Sequence, residues 1–387
     1  MYDLDRHPYL EAFIDPESGV KSYILKEKVG ELQQNFYFTE SGYTTSGKYL
    51  WFKYMNWPSS FCTIAVLSLD PDDPFIRTFP AATLSSTCIP VIPGTDDILF
   101  QVGPSAYRMD VEGNITKVFE VGQDILKGRT LQRISTHLSF SADAKLVLLD
   151  MVIANQSYVG TYNWDTGEIK VIHKFMRHYN HGMFCPTDPE LFLIDQDWQS
   201  DPNSGERFSY DLRMWLMDVN GTRLEPVLPT NWAFHNDSII CHDFWSKDGY
   251  VCYPDLMENV YEYDLKTKKA TAVWNHSICH AHTLDRKYWV GDDSPYKWDR
   301  KLCQTVFFDR ASGKEIDIFS GMPPHKYTAA TGYHLDPHPC FSDDGKYIFS
   351  MVTYKNRGVD LAITPVEPLI KLCKEKGLQV NEPWTEE

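Results

Sequence analysis

The chain has 387 residues, of which 43% are hydrophobic and 14% aromatic, and its formal net charge at pH 7 is −16. This composition is typical of a globular protein with a sizeable core, and the aromatic content favours β structure and surfaces that bind sugars. An acidic protein repels phosphate backbones and anionic membranes, so we expect neither nucleic acid nor membrane as a partner. No stretch approaches the ~20 consecutive apolar residues of a membrane span.

The N-terminus and the cysteines point to a cytoplasmic protein. Residues Met1 to Arg6 show no basic start before an apolar run, so no signal peptide is visible, although one already removed would leave no trace. The nine cysteines are odd in number and include no CxxC pair, and Cys62, Cys252 and Cys303 lie in apolar or alternating runs. We therefore expect free thiols and a reducing compartment.

One sequence element recurs along the whole chain: a tight turn with Gly or Asp, followed by an apolar strand. Seven copies are spaced by roughly 40 to 60 residues, as in repeat proteins. The copies begin at Thr44, Pro93, Ser141, Pro186, Ser246, Leu284 and Ser342. A second element, two strands around an Asp or Asn-Gly turn, follows most of them, for example at Tyr107, Tyr162, Trp215, Tyr261 and Phe307.

Two hairpins per repeat form a four-stranded antiparallel sheet, the blade of a β-propeller. We therefore predict an all-β, seven-bladed β-propeller in a single domain, residues 1–387, with the blades at about 20–366 and a tail at 367–387. A short helix is expected from Glu367 to Leu378. An irregular β-sandwich is the alternative, but it would not require seven evenly spaced copies.

The histidines are concentrated in the second half of the repeat. Of 13 histidines, 11 lie between His173 and His338, and four clusters, around His181, His242, His280 and His338, each stand a few residues before a turn element. Equivalent positions in successive blades lie at equivalent places around a propeller axis. We therefore expect these four histidines to face one central cavity.

Two chemical roles suit this set. Imidazoles and a carboxylate at His280, His334, Asp336 and His338 form a mixed site suited to Mn, Zn, Fe or Ni. Alternation in a strand would place His280 and His282 on one side, which leaves His282 as an alternative ligand. His242 is the natural candidate for a general base near neutral pH.

Other residues are candidates for holding the substrate. Arg207 and Arg213 would supply local positive charge for an anion, and Arg213 is also a candidate catalytic residue. Trp245, one of seven tryptophans between Trp198 and Trp298, could offer a face to a sugar, and Tyr333 is a further candidate for binding the substrate. Cys241 and Cys279 each neighbour a histidine, but adjacent residues of a strand face opposite ways, which argues against a catalytic dyad. No Gly-x-Ser-x-Gly elbow, phosphate-binding Gly-rich loop or His-Glu-x-x-His helix occurs in the sequence.

Five segments in this order resemble the oligogalacturonate lyases, seven-bladed propellers that cleave short pectic oligosaccharides by β-elimination with a bound Mn ion. The segments are Asn35-Phe36-Tyr37-Phe38, His181 with Arg213-Met214-Trp215-Leu216, Cys241 to Gly249, Cys279 to Asp292, and Pro337 to Ser342. The resemblance implies His242 as catalytic base, His280 and His338 as metal ligands, and Arg213 and His181 at the substrate site. The sequence also departs from the family at two metal ligands. Asp336 stands where the family has a ligand histidine, and the family's ligand glutamine aligns near Tyr333, beside His334.

The resemblance thus implies a metal-assisted lyase that acts on a small acidic oligosaccharide, with Mn as the expected metal. Two alternatives remain open at this point. One is a non-catalytic propeller that binds a sugar or a protein, and the other is a different metal-dependent sugar enzyme, a hydrolase or an epimerase. The exact uronate, its chain length and the oligomeric state do not follow from the sequence.

Overall fold

A computed structural model describes the chain except for residues 1, 60, 85–87, 198, 201–205, 209–211, 229–239, 294–301, 324–334, 354, 356–357 and 385–387, and the side chains of residues 83, 199–200 and 207–208. Strands are the main regular structure of the described residues, as the sequence predicts. No helix among them is long and apolar enough to cross a membrane.

The strands follow the chain in short antiparallel runs. They are β1 Leu10–Ile14, β2 Lys21–Leu25, β3 Leu32–Gln34, β4 Tyr49–Met55, β5 Cys62–Ser68, β6 Ile76–Leu84, β7 Ile98–Val102, β8 Ser105–Met109, β9 Ile115–Glu120, β10 Leu131–Arg133, β11 Leu146–Ile153, β12 Gln156–Asn163, β13 Ile169–Lys174, β14 Tyr179–Phe184, β15 Leu191–Gln196, β16 Gln199–Ser200, β17 Arg207–Phe208, β18 Met214–Asp218, β19 Leu224–Pro226, β20 Phe244–Trp245, β21 Val251–Pro254, β22 Val260–Asp264, β23 Lys269–Trp274, β24 Ile278–Thr283, β25 Tyr288–Asp293, β26 Cys303–Asp309, β27 Lys314–Met322, β28 Cys340–Phe341, β29 Tyr347–Thr353, β30 Val359–Pro365 and β31 Leu378–Gln379.

Helices are few and short. A 3-10 turn spans Leu4–Arg6, α1 spans Gln123–Leu126 and α2 spans Val366–Lys376. The position of α2 confirms the helix expected after the last strand. Its residues Val366, Leu369 and Cys373 are buried, while lysines occupy its last turn.

The chain divides into two compact units, Met1–Leu84 with Val251–Glu387, and Ser85–Tyr250. We call them unit 1 and unit 2. In unit 2, β10 to β13 pair in sequence order as a four-stranded antiparallel sheet, and β14, β15, β18 and β19 form another. In unit 1, β24 to β27 pair in the same way, and β28, β29, β30 and β2 are neighbours in a larger sheet.

The repeated turn of the sequence has a repeated hydrogen-bond pattern. The hydroxyls of Ser141, Ser246 and Ser342 each donate to the Asp two residues later, at 2.7, 2.6 and 2.8 Å. Gly249 and Gly345, which close two of these turns, have φ of 87° and 71°, where a side chain would be strained. The Ser, Asp and Gly residues of the repeat therefore form the tight turns that the sequence predicts.

The strands are held by apolar side chains packed between neighbouring sheets. In unit 2 the core around β11 includes Val147, Leu149 and Met151, all of which are fully buried. In unit 1, Phe307, Ile348 and Ala362 belong to one cluster with Leu369 of α2. β26 and β29 are rich in β-branched and aromatic residues, which is the composition that pleated, buried surfaces favour.

Candidate functional site

Three of the four predicted metal ligands come together in unit 1. Ligand atoms of His280, Asp336 and His338 all lie within 4.8 Å of one another. The ring centroids of His280 and His338 are 4.4 Å apart, and His338 Nε2 lies 3.8 Å from Asp336 Oδ2. Both histidines are 1% exposed, whereas the side chain of Asp336 is 21% exposed, so the cluster is open to solvent on the side of the carboxylate.

A buried carboxylate that the sequence analysis did not identify organises this cluster. Asp292 on β25 accepts from the backbone N–H of His280 at 2.8 Å and from that of His338 at 3.2 Å. Its Oδ2 also lies 3.0 Å from His280 Nδ1. Because a carboxylate only accepts, Nδ1 carries a hydrogen, and in the neutral ring Nε2 of His280 keeps its lone pair.

The electrostatics of the cluster follow from burial and from these neighbours. Burial lowers the pKa of His280, but the carboxylates of Asp292 and then Asp336 raise it by more, so the net shift is upward. Burial raises the pKa of Asp336 to about 6, although His280 and Lys53 act in the opposite direction. Both shifts make these groups hold their protons to a higher pH than usual, and a metal ion would compete with those protons for the same atoms.

Aromatic and amide side chains from the segment after β3 surround the histidines. The ring of Tyr37 is 4.9 Å from that of His338, and the ring of Phe38 is 5.3 Å from that of His280. Asn35 donates from Nδ2 to the carbonyl of His338 at 2.6 Å. This is the Asn35-Phe36-Tyr37-Phe38 segment of the family resemblance, which here supports the backbone of a proposed ligand.

Lys53 is a second residue that the sequence analysis missed. It lies in the middle of β4, is 0% exposed, and its charge acts on Asp336. The sequence could have identified Lys53, because it interrupts the apolar run Tyr49-Leu50-Trp51-Phe52-Lys53-Tyr54-Met55. A buried ammonium is rare unless a negative charge faces it.

Unit 2 brings His181 together with a histidine that was not predicted. The rings of His137 and His181 are 5.6 Å apart. Asp150 on β11 holds both segments, because it accepts from Thr136 Oγ1 at 2.6 Å and from the N–H of Gly182 at 3.4 Å. His137 stands four residues before Ser141, as His242 stands before Ser246 and His338 before Ser342, and this spacing could have identified it.

The tautomer of His181 is fixed by its neighbour. His181 Nδ1 lies 2.6 Å from Asn180 Oδ1, an acceptor, so Nδ1 donates and Nε2 is left as the basic atom. Asn180 in turn donates to Asp197 at 2.8 Å. Burial, followed by the positive charge of Arg213, lowers the pKa of His181 well below its usual value, so the ring is neutral at physiological pH.

Arg213 is surrounded by carboxylates. Its guanidinium lies 2.8 Å from Asp195, 3.2 Å from Asp243 and 3.7 Å from Asp197. Burial raises the pKa of Asp195 well above its usual value, Arg213 opposes this, and Asp243 adds to it. The arginine thus anchors Asp243, the residue after His242. Its predicted role in binding a substrate anion stays a prediction.

The geometry at His242 corrects one expectation. Cys241 and His242 were expected to face opposite ways, but Cys241 Sγ lies 3.2 Å from His242 Nδ1. The alternation rule fails because these residues precede β20 and His242 has a φ of 52°, in the left-handed region. Nearby, Trp245 donates from Nε1 to the carbonyl of Met183 at 3.0 Å, which fixes its partly buried ring.

The remaining candidates divide into two groups. His334, Tyr333 and the side chain of Arg207 lie outside the described residues. His282, the alternative ligand, accepts at Nδ1 from the N–H of Phe341 at 3.1 Å, and it is not part of the cluster of His280, Asp336 and His338.

Comparison with solved structures identifies the fold. A structure of oligogalacturonate lyase in complex with manganese superimposes with a TM-score of 0.74 at 16% identity, covering 92% of this chain and 96% of that one. An oligogalacturonate lyase from Vibrio parahaemolyticus gives 0.72 at 15% identity with the same coverage. The chain has the fold of the oligogalacturonate lyases.

More distant structures share less with this lyase fold. A puromycin hydrolase gives a TM-score of 0.57 at 10% identity, covering 88% of this chain but 53% of that one. A scan against protein-family models and a search of curated proteins both give no match. The predicted fold class and the resemblance to these lyases are therefore confirmed by structure, while the number of blades stays a prediction.

Proposed function

We propose that this protein is a metal-assisted polysaccharide lyase that cleaves short uronate-containing, oligogalacturonate-like oligosaccharides by β-elimination. The observation that carries the proposal is the cluster of His280, Asp336 and His338 in a chain with the fold of a manganese-bound lyase. Two imidazoles and a carboxylate are a donor set for a transition metal and a poor one for calcium.

The surroundings of the cluster fit a resident divalent ion, for which we propose Mn. Asp292 orients His280 through Nδ1, and a carboxylate at that nitrogen makes the opposite nitrogen a better ligand. The two backbone N–H bonds to Asp292 tie the segments of His280 and His338 to one carboxylate. We keep His334 as a proposed fourth ligand.

In the proposed reaction a bound metal ion would offset the negative charge of the uronate carboxylate as the neighbouring carbon loses its proton. His242 accepts the proton from C5, the C4–O bond breaks, and a C4–C5 double bond forms. Water or a protein acid protonates the departing oxygen. Neutral His181, with Nδ1 donating to Asn180, offers its other nitrogen to a substrate hydroxyl.

Arg213 acts in this proposal mainly by positioning. Its ion pairs with Asp195 and Asp243 hold the backbone beside His242, and the three carboxylates around it offset its charge. The acidic protein, with a net charge of −16, gains no long-range attraction for an acidic sugar. Binding of the substrate therefore depends on local cations and hydrogen-bond donors.

Mass spectrometry of the products tests the proposal. Galacturonate di- and trisaccharides are incubated with the protein and Mn, and elimination is expected to give one fragment that is lighter by one water than a hydrolysis fragment. His242→Asn, which suits a left-handed backbone, is expected to lower the rate about 10²- to 10⁴-fold because the base is lost. His173→Asn, at an exposed site in the same unit, is the matched control. Fragments of hydrolysis mass would contradict the proposal.

A further inference from the structure

Cys241 differs from the other cysteines in its surroundings. The nine cysteines form no disulfide, seven of them are buried, and Cys62 and Cys241 are partly exposed. Cys62 has Lys53 nearby, but burial dominates and raises the pKa of its thiol to about 11. Burial likewise raises the pKa of Cys373 to about 12 and that of Cys303 well above its usual value. These thiols stay protonated and unreactive at neutral pH.

The contact between Cys241 and His242 has the geometry of a hydrogen bond to sulfur, at 3.2 Å between Sγ and Nδ1. A thiol beside an imidazole can pass its proton to the ring nitrogen, and the resulting thiolate is the nucleophilic form of cysteine. The left-handed φ of His242 and the ion pair of Asp243 with Arg213 hold this arrangement in place.

We propose that Cys241 and His242 form a thiol–imidazole pair in which Cys241 is the fast-reacting thiol of the chain toward alkylating electrophiles, and that alkylation of Cys241 disables His242. In the reaction with iodoacetamide the proton moves from sulfur to Nδ1, the thiolate attacks the methylene carbon, and the S–C bond forms as iodide leaves. The imidazolium then releases its proton to water. The second half of this proposal rests on the proposed function, since it assigns the base to His242.

The pair has a consequence for His242 itself. Once the imidazolium of this pair has released its Nε2 proton to water, the thiolate accepts from the Nδ1–H and Nε2 is the basic atom, as in pairs of histidine with a carboxylate. An amide group added to Sγ removes that acceptor and adds bulk beside the ring. Modification of Cys241 is therefore expected to reduce the rate of proton removal rather than to unfold the protein.

The first experiment compares thiols within one molecule. The native protein is treated briefly with iodoacetamide at neutral pH, and the labelled fraction at each cysteine is read by peptide mass spectrometry. Cys241 is expected to react at least about tenfold faster than Cys62, which is the other partly exposed cysteine. Equal rates at the two thiols would overturn the proposal without the need for any variant.

Variants then test the pair. His242→Asn is expected to slow labelling of Cys241 about tenfold while the rate at Cys62 stays the same, and a faster rate at Cys62 would reveal unfolding. An unchanged rate at Cys241 in folded His242→Asn would overturn the pair.

Cleavage assays test the second half. Alkylation is expected to abolish uronate cleavage in proportion to the labelled fraction of Cys241, whereas Cys241→Ser should be insensitive to the reagent. Full cleavage by fully alkylated protein would overturn the link to His242. A protein that cleaves no uronoside before labelling contradicts the proposed function, and the thiol rates still decide the pair.

Discussion

At the scale of single residues, Asp292 contacts the cluster of unit 1 at three points. It accepts from the backbone of His280 and of His338 and faces Nδ1 of His280, and it is 0% exposed. Such a carboxylate both orients a ligand ring and increases its basicity. Its effect on the proposed metal can be separated from its effect on folding, because Asn retains the shape of Asp but not its charge.

We expect Asp292→Asn to weaken Mn binding about 10- to 100-fold, the usual effect of losing an outer-shell partner of a metal ligand. Titration calorimetry on the folded variant measures this change. Asp309→Asn is the control, since Asp309 is equally buried in unit 1 but accepts from the hydroxyl of Ser312. Equal Mn affinity for wild type and Asp292→Asn would show that Asp292 does not support a metal ligand.

His137 gives a residue-scale prediction for stability. Burial lowers its pKa from the ordinary 6.5 to about 4. Between these values the unfolded chain binds a proton that the folded chain does not, so folding stability is full above pH 6.5 and falls as the pH drops toward 4. The loss is at most about 3 kcal/mol for this group.

Urea unfolding at several pH values between 4 and 7 tests this dependence. The free energy of unfolding of wild type is expected to fall more steeply with decreasing pH than that of His137→Asn. The pKa of His181 is lowered mainly by burial and by Arg213, with a smaller effect of His137, so most of its contribution is common to both proteins. Parallel curves for the two proteins would rule out a neutral, buried His137.

At the scale of elements, histidines at equivalent positions of the repeat share the same unusual backbone conformation. His181, His242 and His338 have φ of 52°, 52° and 45°. His181 and His280 also lie where the pairing of β14 with β15 and of β24 with β25 shifts register. Left-handed residues and bulges both redirect a side chain out of strand alternation. Sequence spacing could predict which histidines are equivalent, but strand alternation could not predict their directions.

The second strand of several repeats carries another regularity. Its fifth residue is a buried charged side chain: Lys53 on β4, Asp150 on β11, Asp195 on β15 and Asp292 on β25. In the sequence Lys53 and Asp150 interrupt apolar runs, as in Leu-Val-Leu-Leu-Asp-Met-Val-Ile, and such runs by themselves predict only strands. Each of these aspartates contacts a candidate arginine or the segment that carries a candidate histidine. The sequence analysis therefore missed the buried carboxylates that hold the candidate site residues in place.

Gly291 on β25 allows β24 to approach closely. A Cβ there would lie 2.5 Å from Ile278 Cγ2 and 3.1 Å from the carbonyl of His280. We expect Gly291→Ala to lower the free energy of unfolding by about 1–3 kcal/mol and to weaken Mn binding, because the strand that carries His280 must move. Urea unfolding and calorimetry measure the two effects.

Gly321→Ala is the matched control for this substitution. Its added Cβ would meet mainly Cδ1 of Leu302, the far end of a flexible side chain, at 2.9 Å. We expect a smaller loss of stability and no change in Mn affinity. Equal effects of the two substitutions would argue against a specific role for the close approach at Gly291.

At the scale of the whole molecule, repetition made the fold predictable. Seven copies of a turn and strand, with hairpin turns between them, predicted an all-β protein of four-stranded sheets, and the structural match to oligogalacturonate lyases confirms that class. Convergence of His280, Asp336 and His338 also agrees with the sequence analysis. Cys241 beside His242 does not, because a local left-handed residue is invisible to an argument from strand alternation.

The central claim is metal-dependent β-elimination, and the most direct measurement is the ultraviolet absorbance of the conjugated C4–C5 double bond. Digalacturonate and other uronate oligosaccharides are incubated with the protein and Mn, and then with a chelator. We expect absorbance to rise with Mn, to stop rising when the chelator is added, and to resume when Mn is restored. A flat trace across all the oligosaccharides with Mn bound, or a rise that the chelator leaves unchanged, would contradict the account.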